Sequence, residues 1–143
     1  MNHKTKNSIL LIIFIIALIN SIILVSINQN PNSEFCYIDE GGNCNSVQGS
    51  KYAYTFGISN SVYGVVIFSF MIILTMLHLF KPSKKKQFLI NLGVMVGLLI
   101  VLYFIFIQTF VLKEFCKYCL LVDIGMIAAF FIVFPDFKKW FKK

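Results

Sequence analysis

Four side chains of this 143-residue chain can do redox chemistry: Cys36, Cys44, Cys116 and Cys119. Cys36 and Cys44 have seven residues between them, including the pair Gly41–Gly42, which supplies backbone freedom. Cys116 and Cys119 form C-K-Y-C. A C-x-x-C at the start of a helix lies among unpaired backbone N–H groups at the positive end of the helix dipole. Both favour a thiolate, the attacking species in disulfide exchange. Lys113 and Lys117 add positive charge there, and Glu114 partly opposes it. The pattern points to a thiol–disulfide relay. A loop pair would present one cysteine to an outside protein and the other to Cys116. Cys116 is expected nearer water, and Cys119, three residues deeper, at the level where a membrane-dissolved acceptor could meet it.

The elements that must position these thiols are apolar. The chain is 58% hydrophobic and 13% charged, far from the balance of a soluble domain, and the excess lies in long runs. Four spans are expected, at about 8–27, 61–80, 88–112 and 118–134, with span four stopping at Pro135. About 20 residues at 1.5 Å each cross one hydrocarbon core. In lipid each backbone group must be satisfied within its own segment, so continuous apolar runs predict helices. The expected fold is an all-α integral membrane protein. A single domain, 1–143, forms a four-helix bundle, and its outer loop, 28–60, carries a short helix. Gly93 and Gly97, a G-x-x-x-G, are read as close helix packing.

All 13 basic residues are lysines, and the formal net charge is +7. The lysines flank apolar runs, which favours a membrane over nucleic acid as the partner. Lys4, Lys6, Lys81, Lys84 to Lys86, Lys138, Lys139, Lys142 and Lys143 fall on one side of the four spans. The other side has Lys51, Lys113 and Lys117, accompanied by Glu34, Asp39, Glu40 and Glu114. The positive-inside rule then puts both termini in the cytoplasm and all four cysteines on the outer face of the cell membrane. Trp140 and Phe141 fit an interfacial anchor at the inner surface. Span one has a positive start, but its apolar stretch exceeds a signal-peptide core and no small-residue cleavage site follows, so it is read as retained.

Other readings of the cysteines stay open at this level. Two static disulfides in a membrane scaffold are ordinary in an oxidising compartment. A four-cysteine zinc site is disfavoured by the seven-residue gap and by that compartment. Incidental core cysteines are disfavoured by the polar surroundings of the loop pair.

Over nearly its whole length the chain resembles the microbial members of the vitamin K epoxide reductase family. The resemblance rests on Cys36 and Cys44 at their spacing, Ser50 six residues beyond, S-N-S-V-Y-G (Ser59 to Gly64) opening span two, and F-C-K-Y-C (Phe115 to Cys119) opening span four. In the DsbB type, the other four-helix disulfide-forming membrane family, the C-x-x-C comes first and the looser pair second.

The resemblance implies that Cys116 and Cys119 are the active-site pair, with Cys119 reducing a quinone (ubiquinone or menaquinone). Cys36 and Cys44 would be the shuttle, with Cys44 exchanging with Cys116. Cys36 would meet a thioredoxin-fold (DsbA-like) partner, expected to be a separate protein because the chain ends soon after span four. Asn60 would hydrogen-bond a quinone carbonyl and Tyr63 would line the pocket. Where the vertebrate enzyme has a tyrosine that binds the vitamin K head group, this chain has Asp123, on the helix face of Cys119. Asp123 could serve the quinone's protons, or be a carboxylate favoured near a helix start. Quinone reduction is therefore expected rather than epoxide reduction. From the residues alone, Ser59, Asn60 and Ser61 are good helix N-caps. Ser50 is expected to stabilise a short loop helix, and Tyr52, Tyr54 and Phe56 to cover the bundle end. His78 is given no role.

Overall fold

A computed structural model describes residues 3–30 and 47–141, with side chains for 4–30 and 47–135. Cys36, Cys44, the Gly41–Gly42 pair and the side chains of Trp140 and Phe141 lie outside these. Four long helices are present: α1 (His3–Gln29), α2 (Asn60–Phe80), α3 (Lys84–Phe106, continued by a π-helical turn Ile107–Leu112) and α4 (Lys117–Phe141). Each is long and apolar enough to cross a membrane. Between α1 and α2 lie a 3-10 turn (Lys51–Ala53) and a two-stranded hairpin, β1 (Tyr54–Thr55) paired antiparallel with β2 (Ile58–Ser59).

The helices form a closed ring in which α1 packs on α2 and α4, and α3 completes the circuit between them. The core is drawn from all four: Leu10, Phe14 and Ala17, Phe68 and Met71, Ile90 and Val94, Met126, Ala129 and Val133. Ile16, Phe70, Leu99 and Phe131 face outward. An apolar exterior is stable only in lipid, and the packing inside comes from shape and dispersion rather than from a hydrophobic gradient. The glycines of G-x-x-x-G meet methionines on two different helices, Gly93 at Met71 of α2 and Gly97 at Met126 of α4. The motif thus seats α3 between two neighbours, and long flexible side chains fill the grooves.

At the lysine-rich end, Lys86 Nζ donates to the carbonyls of Leu77 (3.0 Å) and Lys81 (3.3 Å), which caps the last turn of α2. His78 is buried there and its Nδ1 accepts from the Ser83 N–H. α4 does not stop at Pro135 but runs through it to Phe141. The missing proline N–H costs one helical bond without breaking the run. The apolar span itself ends at Pro135.

Candidate thiol site

The thiol site lies at the opposite end, where α1 finishes, α2 and α4 begin, and the π turn ends α3. The α4 helix starts at its C-x-x-C. The Cys116 carbonyl accepts the first helical bond, from Leu120 N–H at 2.9 Å, so Cys116 is the N-cap and Cys119 lies in the first turn. The backbone reverses just before it, with Lys113 left-handed at φ 54°.

Cys116 is not the water-facing member of the pair. Its exposure is 0%, and it packs in a cluster with Leu24 and Ile27 of α1 and Val47 of the loop. Helix-start position alone suggested solvent, but the end of α1 and the loop fold over the start of α4. Cys119 is half-buried and carries a thiol.

Each cysteine is joined to a buried glutamine. The Cys116 backbone N–H donates to Gln108 Oε1 at 3.3 Å, which satisfies one donor of the buried helix start. Gln108 Nε2 donates in turn to Asp123 Oδ2 at 3.4 Å. Both Gln108 and Asp123 are buried. Gln108 sits in the π turn, whose extra residue per turn re-aims side chains and is common at functional sites. Asp123 is in the second turn of α4, where the dipole has largely faded. A preference for helix starts therefore does not account for it; its partner across the α3–α4 seam does.

On the other side, Gln48 Nε2 donates to Cys119 Sγ at 3.6 Å, and Gln48 Oε1 accepts from Ser61 Oγ at 3.4 Å. A single side chain thus ties Cys119 to the first turn of α2, where Asn60 and Tyr63 lie on one face. The Asn60 amide donates to Tyr52 O (2.8 Å) and accepts from Thr55 Oγ1 (2.7 Å). An amide NH2 has two hydrogens, so one remains for a carbonyl such as a quinone's. Tyr63 OH donates to Thr55 O at 3.3 Å, and its oxygen can still accept. Of these two, Asn60 is therefore the one with a donor left for a quinone carbonyl, Tyr63 having given its single hydrogen to Thr55.

Three local expectations change. Ser59 holds the N-cap position of α2 but makes no capping bond. Its hydroxyl is used at 2.6 Å with Ser61 and accepts from Asn28 Nδ2 at 3.1 Å. Ser50 is the N-cap residue of the 3-10 turn and its carbonyl accepts from Ala53 N–H at 3.0 Å, but its hydroxyl bonds back to Val47 O at 2.8 Å instead of capping. Phe56 does not cover the bundle. It stands at the hairpin tip, 97% exposed, left-handed at φ 53° beside Gly57 at φ 80°.

The sequence reading missed Gln48 and Gln108. A polar residue inside an apolar span is by default a functional candidate, and that signal was available for Gln108. Gln48, in a polar loop, gave none.

In comparisons with known proteins, the model of the family described as Vitamin K epoxide reductase family matches residues 8–134. No match is found among curated proteins.

Proposed function

Since the chain belongs to the vitamin K epoxide reductase family, whose members are quinone-linked membrane thiol oxidoreductases, we propose that it oxidises a thioredoxin-fold carrier through two cysteine pairs. The observation that carries this is the pair at the start of α4: Cys116 beneath loop residue Val47, Cys119 joined through Gln48 to the first turn of α2. Val47 follows Cys44 by three residues, and three residues of chain span at most about 11 Å. That reach is compatible with the proposed exchange between Cys44 and Cys116.

The exchanges balance as follows. A reduced partner dithiol, attacking through Cys36, opens the Cys36–Cys44 disulfide and leaves as the oxidised carrier. The Cys44 thiolate then attacks the Cys116 sulfur of the Cys116–Cys119 disulfide and releases the Cys119 thiolate. Cys36 resolves the Cys44–Cys116 bond, so the pair at α4 holds two electrons and the shuttle is again a disulfide. When bound, a quinone supplies the acceptor for two electrons and two protons. Asn60 and Tyr63 would hold its head group. Cys119 would be the thiol facing it, and Cys116 would re-form the disulfide with Cys119. Asp123, one turn from Cys119, is available to the protons and steadies Gln108 beneath Cys116.

The lysine distribution supports an orientation in the cell membrane with both termini cytoplasmic and this site outside. The departure at Asp123 favours quinone over vitamin K epoxide as the oxidant.

Purified Cys116→Ser protein should develop an absorbance that requires both Cys119 and added quinone. Trapping with reduced partner should yield a Cys44–Cys116 disulfide by mass spectrometry. Inert Cys36–Cys44 and Cys116–Cys119 bonds, with no quinone-dependent signal, would favour a scaffold with structural disulfides.

A further inference from the structure

Five polar side chains run from the exposed Tyr54 to Cys119. Tyr54 OH donates to Asn28 Oδ1 at 2.9 Å, and Asn28 Nδ2 donates to Ser59 Oγ at 3.1 Å. Ser59 and Ser61 hydroxyls are 2.6 Å apart. Ser61 donates to Gln48 Oε1 at 3.4 Å, and Gln48 Nε2 donates to Cys119 Sγ at 3.6 Å. The one ambiguous contact resolves itself. Ser61 has a single hydrogen and gives it to Gln48, so Ser59 donates to Ser61. Every donor in the chain then points toward the sulfur. The reversed Gln48 amide would direct Ser61 back at Ser59, which already receives Asn28, and would take away the acceptor for the Ser59 hydrogen.

We propose that Gln48 is a positioning residue for Cys119, a fixed N–H donor that stabilises its thiolate, held in that orientation by Ser61, Ser59, Asn28 and Tyr54. The chain is not a proton wire. Side-chain amides at Asn28 and Gln48 interrupt it, and an amide passes a proton only through a high-energy tautomer. It transmits orientation and polarisation, each bond strengthening the next in a low-dielectric setting. A thiolate is acceptor-only, so a donor fixed before the charge appears need not reorganise when it does. Ser59, Ser61 and Gln48 are buried, so water does not compete freely for these bonds.

The proposal rests on Cys119 being the thiol that faces the quinone, and the test separates the two. A Cys36→Ser, Cys44→Ser, Cys116→Ser protein in detergent micelles carries Cys119 alone. Its alkylation by iodoacetamide, without quinone, is compared with the same protein carrying Gln48→Met, Gln48→Glu or Ser61→Ala. With the donor gone the charged sulfur loses a hydrogen bond, and the alkylation rate at one fixed pH should fall about threefold for Gln48→Met. Gln48→Glu, which puts an acceptor against the sulfur, should fall further, and Ser61→Ala should lie between Gln48→Met and the parent. Ser61→Ala keeps the proposal testable if Gln48→Met fails to fold. With quinone added, the Gln48→Met absorbance should be weaker and shifted to longer wavelength, because an unsupported thiolate gives up an electron more easily. Equal alkylation rates and unshifted spectra in folded variants overturn the role of Gln48. A parent protein with no quinone-dependent absorbance overturns the assignment of Cys119 instead, whatever the alkylation rates.

Discussion

Replacing Gln108 by methionine keeps the volume of the side chain and removes both of its hydrogen bonds. The Cys116 N–H and the Asp123 carboxyl are then left in a buried seam without their partner at 3.3 and 3.4 Å. Hydrogen bonds between membrane helices average about 0.6 kcal/mol, so two bonds account for roughly 1 kcal/mol. Leaving the buried Asp123 carboxyl without this donor adds about 1–3 kcal/mol in the general case. Both bonds are long, which places the expected total near the low end, about 2 kcal/mol. Thermal or denaturant unfolding in detergent reads this directly, and hydrogen exchange at the Cys116 amide localises it. A double-mutant cycle isolates the seam. If Gln108 and Asp123 act on each other, Gln108→Met and Asp123→Leu should be non-additive by about 0.6–1.7 kcal/mol. Gln108→Glu keeps an acceptor for Cys116 and loses the donor to Asp123, so it should retain slow exchange at Cys116 while destabilising the seam. Additive variants, or a Gln108→Met protein within 0.5 kcal/mol of the parent, would refute the coupling of the π turn to the start of α4.

Gly97→Leu should destabilise the bundle by about 1–3 kcal/mol through overpacking, and Met126→Ala should restore part of that loss; unfolding midpoints of the three proteins check it. Ser50→Ala removes the bond to Val47 O and should cost about 1 kcal/mol locally, seen as faster hydrogen exchange and proteolysis around residues 47–53 with an unchanged bundle. Phe56→Asn relieves a left-handed phenylalanine that buries almost nothing against the protein, and should slow amide exchange across the Tyr54–Ser59 hairpin, the equivalent of about 1 kcal/mol. Faster exchange in bilayers but not in detergent would mean that the ring is held by lipid.

Much of this protein is written locally. Twenty-residue apolar runs bounded by lysines determine four helices, because a span must satisfy its own backbone in lipid and every residue needed for that is in the run. The C-K-Y-C at the start of the last run determines where a reactive pair can sit, and its order after the looser pair determines the family resemblance that the match over residues 8–134 bears out. Tertiary structure decided how those thiols are surrounded. Cys116 reads as water-facing from its place at a helix start, yet it is buried because the end of α1 and Val47 close over it. Gln48 reaches Cys119 across 71 positions of sequence, and Gln108 reaches Asp123 across 15. Hydropathy and spacing register what a residue is and what lies within a turn or two of it. A hydrogen bond between helices depends on the ring of packing that brings them together, and no local pattern carries that information.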